Sequence, residues 1–425
     1  MKINNLNKIP ADGKKDNSFV GIKIKDNQIE FHYPETYVLS TNDDELRKDI
    51  LAILRTVALA KTLTNDDSTY NSQHTNNYVF PLNSYLWMIN DYLTYGRYEN
   101  KEKEYIHGVR GKINWKKTMH SNPAVTSGNI VYTDIISEVK NQKDNIITEI
   151  YNCCVKQSID NVGWLYGLAY DTNGIDYNKL FDVNNKLYIN TINNEIMHTY
   201  DDNKKTRLNH MRNILVGLDD NLINTKEVIY GVDSYEYVFE KMVDSMFSKV
   251  DNIKEFYPTA SWYIDLEQKE KNASKLRPDT VIVNNNKVYI LDSKYYRYGV
   301  TFDRNDIPET TSIQKQITYG EYIKKIRKDY DDVYSAFVMP YSKDNNKHKD
   351  VLNKNIEYVG IATAKWFDDS NPNNRKIVGF LIDTKYLINN WIERNEDNIN
   401  EIINLIETKV RDYRNVWNWW NNRNY

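Results

Sequence analysis

Pro278-Asp279-Thr280-Val281-Ile282-Val283, a polar turn Asn284-Asn285-Asn286, and Lys287-Val288-Tyr289-Ile290-Leu291-Asp292-Ser293-Lys294 form one continuous stretch. Two runs rich in Val and Ile around a cluster of asparagines have the pattern of a β-hairpin. Side chains two apart on a strand point to the same face, so Asp292 and Lys294 project together, with Val288 and Ile290 behind them. With the turn centred on Asn285, Asp279 folds back opposite Leu291 and Asp292. Two carboxylates and one ammonium therefore converge.

That is the layout of a metal-dependent nuclease centre. Magnesium demands near-octahedral oxygen ligation and keeps several waters, so Asp279, Asp292, a main-chain carbonyl and a substrate phosphate make a suitable shell. Manganese accepts the same oxygens. A bound metal lowers the pKa of water, and Lys294 can orient that water or offset charge in the transition state. The competing reading is a surface hairpin with a solvated Asp-x-Lys edge. An Asp closing the apolar run Val288-Tyr289-Ile290-Leu291 fits that reading poorly, because burying a carboxylate is costly unless something pairs with it.

The chain has 425 residues, enough for two or three domains, and its 40% hydrophobic and 13% aromatic content is that of a folded protein. No stretch of eighteen apolar residues and no charged-then-apolar leader follows Met1, which leads us to expect a soluble, cytoplasmic protein without membrane contact. The only two cysteines, adjacent at Cys153 and Cys154, suit neither a disulfide framework nor a zinc site and are expected in the core of a helix. Charge is informative: 56 basic residues face 59 acidic ones, a net of −3, where a stand-alone DNA enzyme usually carries a basic excess. Either positive charge is strongly localised or another subunit holds the DNA, and we favour the second.

Outward from the hairpin, residues 229–425 read as a compact α/β pattern. A helix from Ser234 carries Glu236 and Glu240, strands follow at 261–266, 280–283 and 288–294, and a helix spans 311–327. Strands at 335–340, 358–362 and 377–382 and two closing helices that reach Arg411 complete it. Residues 1–228 read as a separate α+β domain. It opens with a hairpin, Phe19 to Lys25 and Gln28 to Pro34 around Asp26-Asn27, and continues with a helix capped by Thr41 or Asn42. A polar loop follows at 64–77, then helices over 82–95, 136–159 and 204–215. Between them, Arg110, Lys112, Trp115, Lys116 and Lys117 suit either a nucleic-acid or partner surface, or a strand with a buried Trp and solvated lysines.

A helix, a hairpin bearing Asp and Asp-x-Lys, then a helix and a further strand resemble the core of the PD-(D/E)XK nuclease fold, a mixed sheet flanked by helices. That likeness implies a helix carboxylate at the metal, for which Glu240 is preferred over Glu236, and a Ser293 carbonyl among the ligands. It also implies Gln316 and Tyr319 near the DNA, here three residues apart where relatives commonly have four. More narrowly, the whole chain resembles McrC-like restriction subunits, especially the nuclease of LlaJI-type systems. The features are Phe19-Val20-Gly21, Gly111 to Thr118, Phe239-Glu240, the Asp279 to Lys294 hairpin and Val338-Met339-Pro340. The resemblance implies a type II/IV-like deoxyribonuclease of phage defence or restriction-modification. It also implies that residues 1–228, through Arg110, Lys112, Trp115, Lys116 and Lys117, engage a separate McrB-like AAA+ GTPase that recognises DNA.

No Gly-x-x-x-x-Gly-Lys-Ser/Thr run occurs in the sequence, so GTP is expected on the partner and not on this chain. Two other readings share these residues. One is a non-catalytic assembly factor that activates a ring NTPase; the other is a DNA repair nuclease of the same fold.

Overall fold

The computed structural model describes residues 6–13, 17–25, 28–64, 81–98, 101–121, 124–126, 129–142, 146–166, 177–219, 227–364, 366, 373–392 and 394–421. They begin with β1 (Leu6–Ala11), β2 (Val20–Lys25), β3 (Gln28–Pro34), α1 (Asp43–Thr64), α2 (Leu82–Tyr95), β4 (Lys101–His107), β5 (Lys112–Ile113) and α3 (Trp115–His120). Next come β6 (Ala124–Thr126), β7 (Asn129–Val131), β8 (Ile136–Gln142), α4 (Ile146–Val162), α5 (Tyr177–His198), α6 (Asp202–Asp219) and β9 (Glu227–Val232). After α7 (Tyr235–Phe247) stand β10 (Ser261–Ile264), β11 (Lys269–Asn272), β12 (Thr280–Asn284), β13 (Lys287–Ser293), α8 (Tyr298–Thr301) and α9 (Thr310–Ile326). The chain closes with β14 (Asp332–Tyr341), β15 (Ile356–Ala362), β16 (Ile377–Asp383), α10 (Thr384–Asn390) and α11 (Glu396–Asn421).

The architecture is α+β with mixed sheets. Its division by contacts does not follow a boundary at residue 228: one unit comprises 4–78 with 227–425, and the other 79–226.

The larger unit is built on a five-stranded sheet of order β12-β13-β14-β16-β15. β13 is parallel to β14 and β14 to β16, while β12 and β15 run antiparallel at the two edges. Strands β13 and β14 are buried along nearly their whole length, the condition of central strands covered on both faces. One face carries Val281, Val288 and Ile290 under Tyr319 and Ile323 of α9. The opposite face carries Tyr289, whose hydroxyl donates to Glu407 of α11. Pro340 is tolerated in central β14 because the β13 register ends at Val338, so its missing N–H falls beyond the end of that neighbour.

A second sheet, β1-β3-β2-β9, joins the start of the chain to residues 227–232. The expected hairpin is its centre, with Lys25 opposite Gln28. β9 crosses β2 so closely at Gly21 that a Cβ there would stand 2.1 Å from the Tyr230 carbonyl oxygen, which only glycine permits. Further links knit residues 28–64 to the segments that follow β13 and β16. Arg297 grips Glu35 through two bonds of 2.9 and 2.8 Å, Thr36 meets Thr384 at 2.7 Å, and Lys385 lies 3.0 Å from Asp49. Asn42 caps α1 by accepting from the amides of Asp44 and Glu45.

The smaller unit packs α2, α4, α5 and α6 together beside an antiparallel sheet of order β4-β8-β5. Cys153 and Cys154 are buried in α4, as expected. Arg207 of α6 holds Asp91 of α2 through bonds of 2.9 and 2.8 Å. The helix expected over 136–159 is instead a strand, β8, followed by α4: β8 pairs along its whole length with β4, and Ser137 donates to the Gly108 carbonyl. Helix α5 was not anticipated. The loop expected at 64–77 lies, beyond Thr64, outside the described residues. No described helix is long and apolar enough to cross a membrane.

Candidate active site

The hairpin register pairs Thr280 with Leu291 and Asn284 with Lys287, leaving Asn285 and Asn286 as a two-residue turn. Both have positive φ, 47° and 58°. That is the type I′ geometry matching the twist of paired strands, and Asn tolerates it better than other side chains do. The register sets Asp279, one residue before Thr280, level with Asp292. Asp279 Oδ2 accepts the main-chain amide of Ser293 at 2.9 Å.

Asp292 is only 1% exposed and pairs through Oδ2 with the Lys294 ammonium. A second ammonium, Lys315 of α9, stands 3.7 Å from Oδ1. Neither oxygen accepts a well-aligned hydrogen bond. Lys315 was not anticipated. It precedes Gln316 and lies four residues before Tyr319, with its ammonium 5.7 Å from the Tyr319 ring centroid, so an i, i+4 reading of α9 could have found it.

Helix α7 brings Glu240 to the same place. Its buried face, Tyr235, Val238, Phe239, Met242, Val243 and Met246, has helical spacing and packs α7 against β12 and β13. Burial and the charge of Asp279 push the Glu240 carboxyl up to about 8, against the opposing pull of Lys294 and with Asp292 and Glu236 adding to the rise. Burial and Asp292 likewise push Asp279 up to about 6, although Lys294, Lys315 and the Ser293 amide oppose it. Gln316 and Tyr319, expected near DNA, are both fully buried. Gln316 leaves both polar side-chain atoms unpaired, while the Tyr319 hydroxyl donates to the Arg277 carbonyl at 2.6 Å.

This donor set suits a small divalent cation. Among the described residues no three His, Cys, Asp or Glu side chains stand close enough to enclose an ion unaided. Magnesium does not require that, since it is usually held by one or two carboxylates with waters and phosphate oxygens. The buried oxygens of Asp292 lack aligned donors, and the raised Glu240 and Asp279 carboxyls mark negative charge that one or two lysines do not balance.

A family model described as LlaJI restriction endonuclease matches residues 19–370, most of the chain. The chain belongs to the LlaJI restriction endonuclease family. The matched span contains both the Asp279 to Lys294 hairpin and the smaller unit's Arg110, Lys112, Trp115, Lys116 and Lys117. In this family member those five side chains lie on the surface around β5 and α3. Trp115 is 55% exposed and opens a helix, so neither a strand nor a buried Trp describes it. Lys117 sits over the Tyr105 ring at 3.4 Å, and Trp115 meets Tyr132 edge-on.

Among solved structures, a refined half-complex from a tetradecameric assembly of Thermococcus gammatolerans McrB AAA+ hexamers with bound McrC is similar at 15% identity and a TM-score of 0.40. The match covers 91% of this chain and 83% of that one. No curated protein matches.

Proposed function

We propose that this restriction endonuclease family member is the Mg²⁺-dependent, DNA-cutting subunit of a GTP-dependent restriction system, with a PD-(D/E)XK centre formed by Glu240, Asp279, Asp292 and Lys294. The observation that carries this reading is a cluster of three carboxylates, the buried Asp292 with the half-buried Asp279 and Glu240, short of positive charge, beside two lysines. Asp279, Asp292 and the Ser293 carbonyl would hold the ion, with Glu240 beside it; manganese could replace magnesium. A divalent ion supplies Lewis-acid polarisation of the phosphate and acidifies water. Lys294, fixed against Asp292, orients the attacking water and offsets charge on the phosphorane. Lys315 adds a second positive group on the same side. Glu240, whose raised pKa lets it change protonation near neutrality, is suited to positioning or accepting a proton.

GTP hydrolysis is assigned to a separate McrB-like AAA+ subunit, because this chain has no phosphate loop and no net positive charge. The smaller unit, through the exposed surface from Arg110 to Lys117, is the part proposed to meet that subunit. The test is Lys294→Ala in the reconstituted enzyme with DNA, GTP and Mg²⁺. Cleavage should fall by at least about 100-fold, while partner binding persists. A chelator should abolish wild-type cleavage, and Mg²⁺ should restore it. Undiminished cutting by the variant would sink the assignment.

A further inference from the structure

Between α7 and the active-site hairpin the chain makes a second hairpin that buries almost nothing. Every residue of β10 and β11 is exposed except Ile264, which is half-buried. Trp262 is 71% exposed, and Leu266 at the tip is fully exposed. An isolated two-stranded ribbon is marginally stable, and exposed large apolar groups at its tip add no stability to the fold.

Its two faces differ. Trp262 pairs across the ladder with Lys271, and Ile264 with Lys269, so by strand alternation these four side chains share one face. The other face carries Ser261 bonded to Glu270 and Tyr263 bonded to Gln268. The spacing of Lys269 and Lys271 continues toward the catalytic hairpin with Lys275 and Arg277, two residues before Asp279. Among the described residues, Lys269, Lys271 and Lys275 have no ion-pair partner.

The ribbon is tied to the catalytic centre. Main-chain bonds from Ala273 to Ala260 and from Leu276 to Pro258 extend its ladder toward Pro278. The Arg277 carbonyl then accepts the Tyr319 hydroxyl at 2.6 Å, on the helix whose Lys315 stands 3.7 Å from Asp292. From Leu276 to Lys269 an extended strand reaches about 23 Å. In a chain of net charge −3, a basic and aromatic face that leads directly into the cutting carboxylates is complementary to a polyanion.

We propose that the β10–β11 ribbon is a DNA-gripping arm of the nuclease unit, with Lys269 and Lys271 on backbone phosphates and Trp262 against sugars or bases. This rests on the reading of the chain as a DNA endonuclease. It also revises the inference from net charge: part of the DNA grip is local to this chain.

The test measures binding of the full-length chain to a fluorescein-labelled duplex, in chelator, across a salt series. Lys269→Ala/Lys271→Ala should lower the slope of log K against log salt by about 2. Trp262→Ala should weaken binding roughly five- to tenfold with the slope unchanged. Thermal denaturation should not move, since these side chains are exposed. Wild-type slope and affinity in both variants would overturn the proposal. So would loss of association with the AAA+ subunit at unchanged DNA affinity, which would make the ribbon a protein contact. A wild-type chain that binds no DNA at low salt also overturns it, yet leaves the nuclease reading to stand or fall on Lys294→Ala in the assembled enzyme.

Discussion

Glu240 holds its high pKa because burial and Asp279 penalise its charged form. Between the ordinary value of 4.5 and about 8, the folded protein therefore keeps a proton that the unfolded chain has released. Stability of the metal-free protein is then greatest below that window and falls as pH rises through it. Glu240→Gln, which cannot ionise, should flatten the decline in denaturation midpoint between about pH 5 and about pH 8 in chelator. Adding Mg²⁺ near pH 8 should raise the wild-type midpoint more than that of the variant. Parallel pH profiles for the two proteins would show that Glu240 is not the group in question. Asp279, Asp292 and Lys294 could be placed together from sequence because one hairpin and a period of two bring them there. The i, i+4 spacing on α9 puts Lys315 on the face of Tyr319, but its 3.7 Å approach to Asp292 depends on how α9 lies on the sheet. The burial of Gln316 and Tyr319 is likewise a matter of packing depth, which their i, i+3 spacing does not encode.

The hairpin that carries Asp279 and Asp292 depends on its turn as much as on its acids. Asn285 and Asn286 both adopt left-handed backbone angles, and replacing both with alanine should cost about 1–2 kcal/mol, read as a drop in urea midpoint at constant m-value. Cleavage should fall further than stability alone explains, since the turn sets the register that levels Asp279 with Asp292. A double variant with unchanged stability would mean that the strands, not the turn, fix that register. The strands around this turn were readable because Val and Ile crowd them and asparagines punctuate them. Elsewhere that signal fails. β11 is Lys-Glu-Lys-Asn with no apolar residue, so only the first half of the exposed ribbon could be foreseen. β8 offers only Ile136 and Val139 before a polar run, and its strand character comes from pairing with the equally polar β4.

The start of the chain is structurally part of the larger unit, which a linear division at residue 228 hides. Arg297 to Glu35, Lys385 to Asp49, Thr36 to Thr384 and the 3.1 Å contact of Thr56 with Tyr235 all span more than 170 positions. Contacts so distant in sequence leave no local periodicity to read. Asp49 shows what these links add: burial opposes its charge, but bonds from Ser40, Lys385 and Tyr37 outweigh that cost and hold its carboxyl below the usual range. A fragment of residues 229–425 would lose those partners and uncover the side of α7 that α1 covers. It should therefore be insoluble or fail to unfold cooperatively. Replacing 79–226 with a flexible Gly-Ser linker keeps every one of these contacts, because that unit contributes none of them. The deletion protein should unfold in one transition and retain Mg²⁺-dependent stabilisation, while losing association with the AAA+ subunit. Calorimetry and a binding assay on the two proteins separate the possibilities. A well-folded 229–425 fragment would show that residues 4–78 are not needed by the larger unit, and a deletion protein that still binds the ring would overturn the proposed role of the smaller unit.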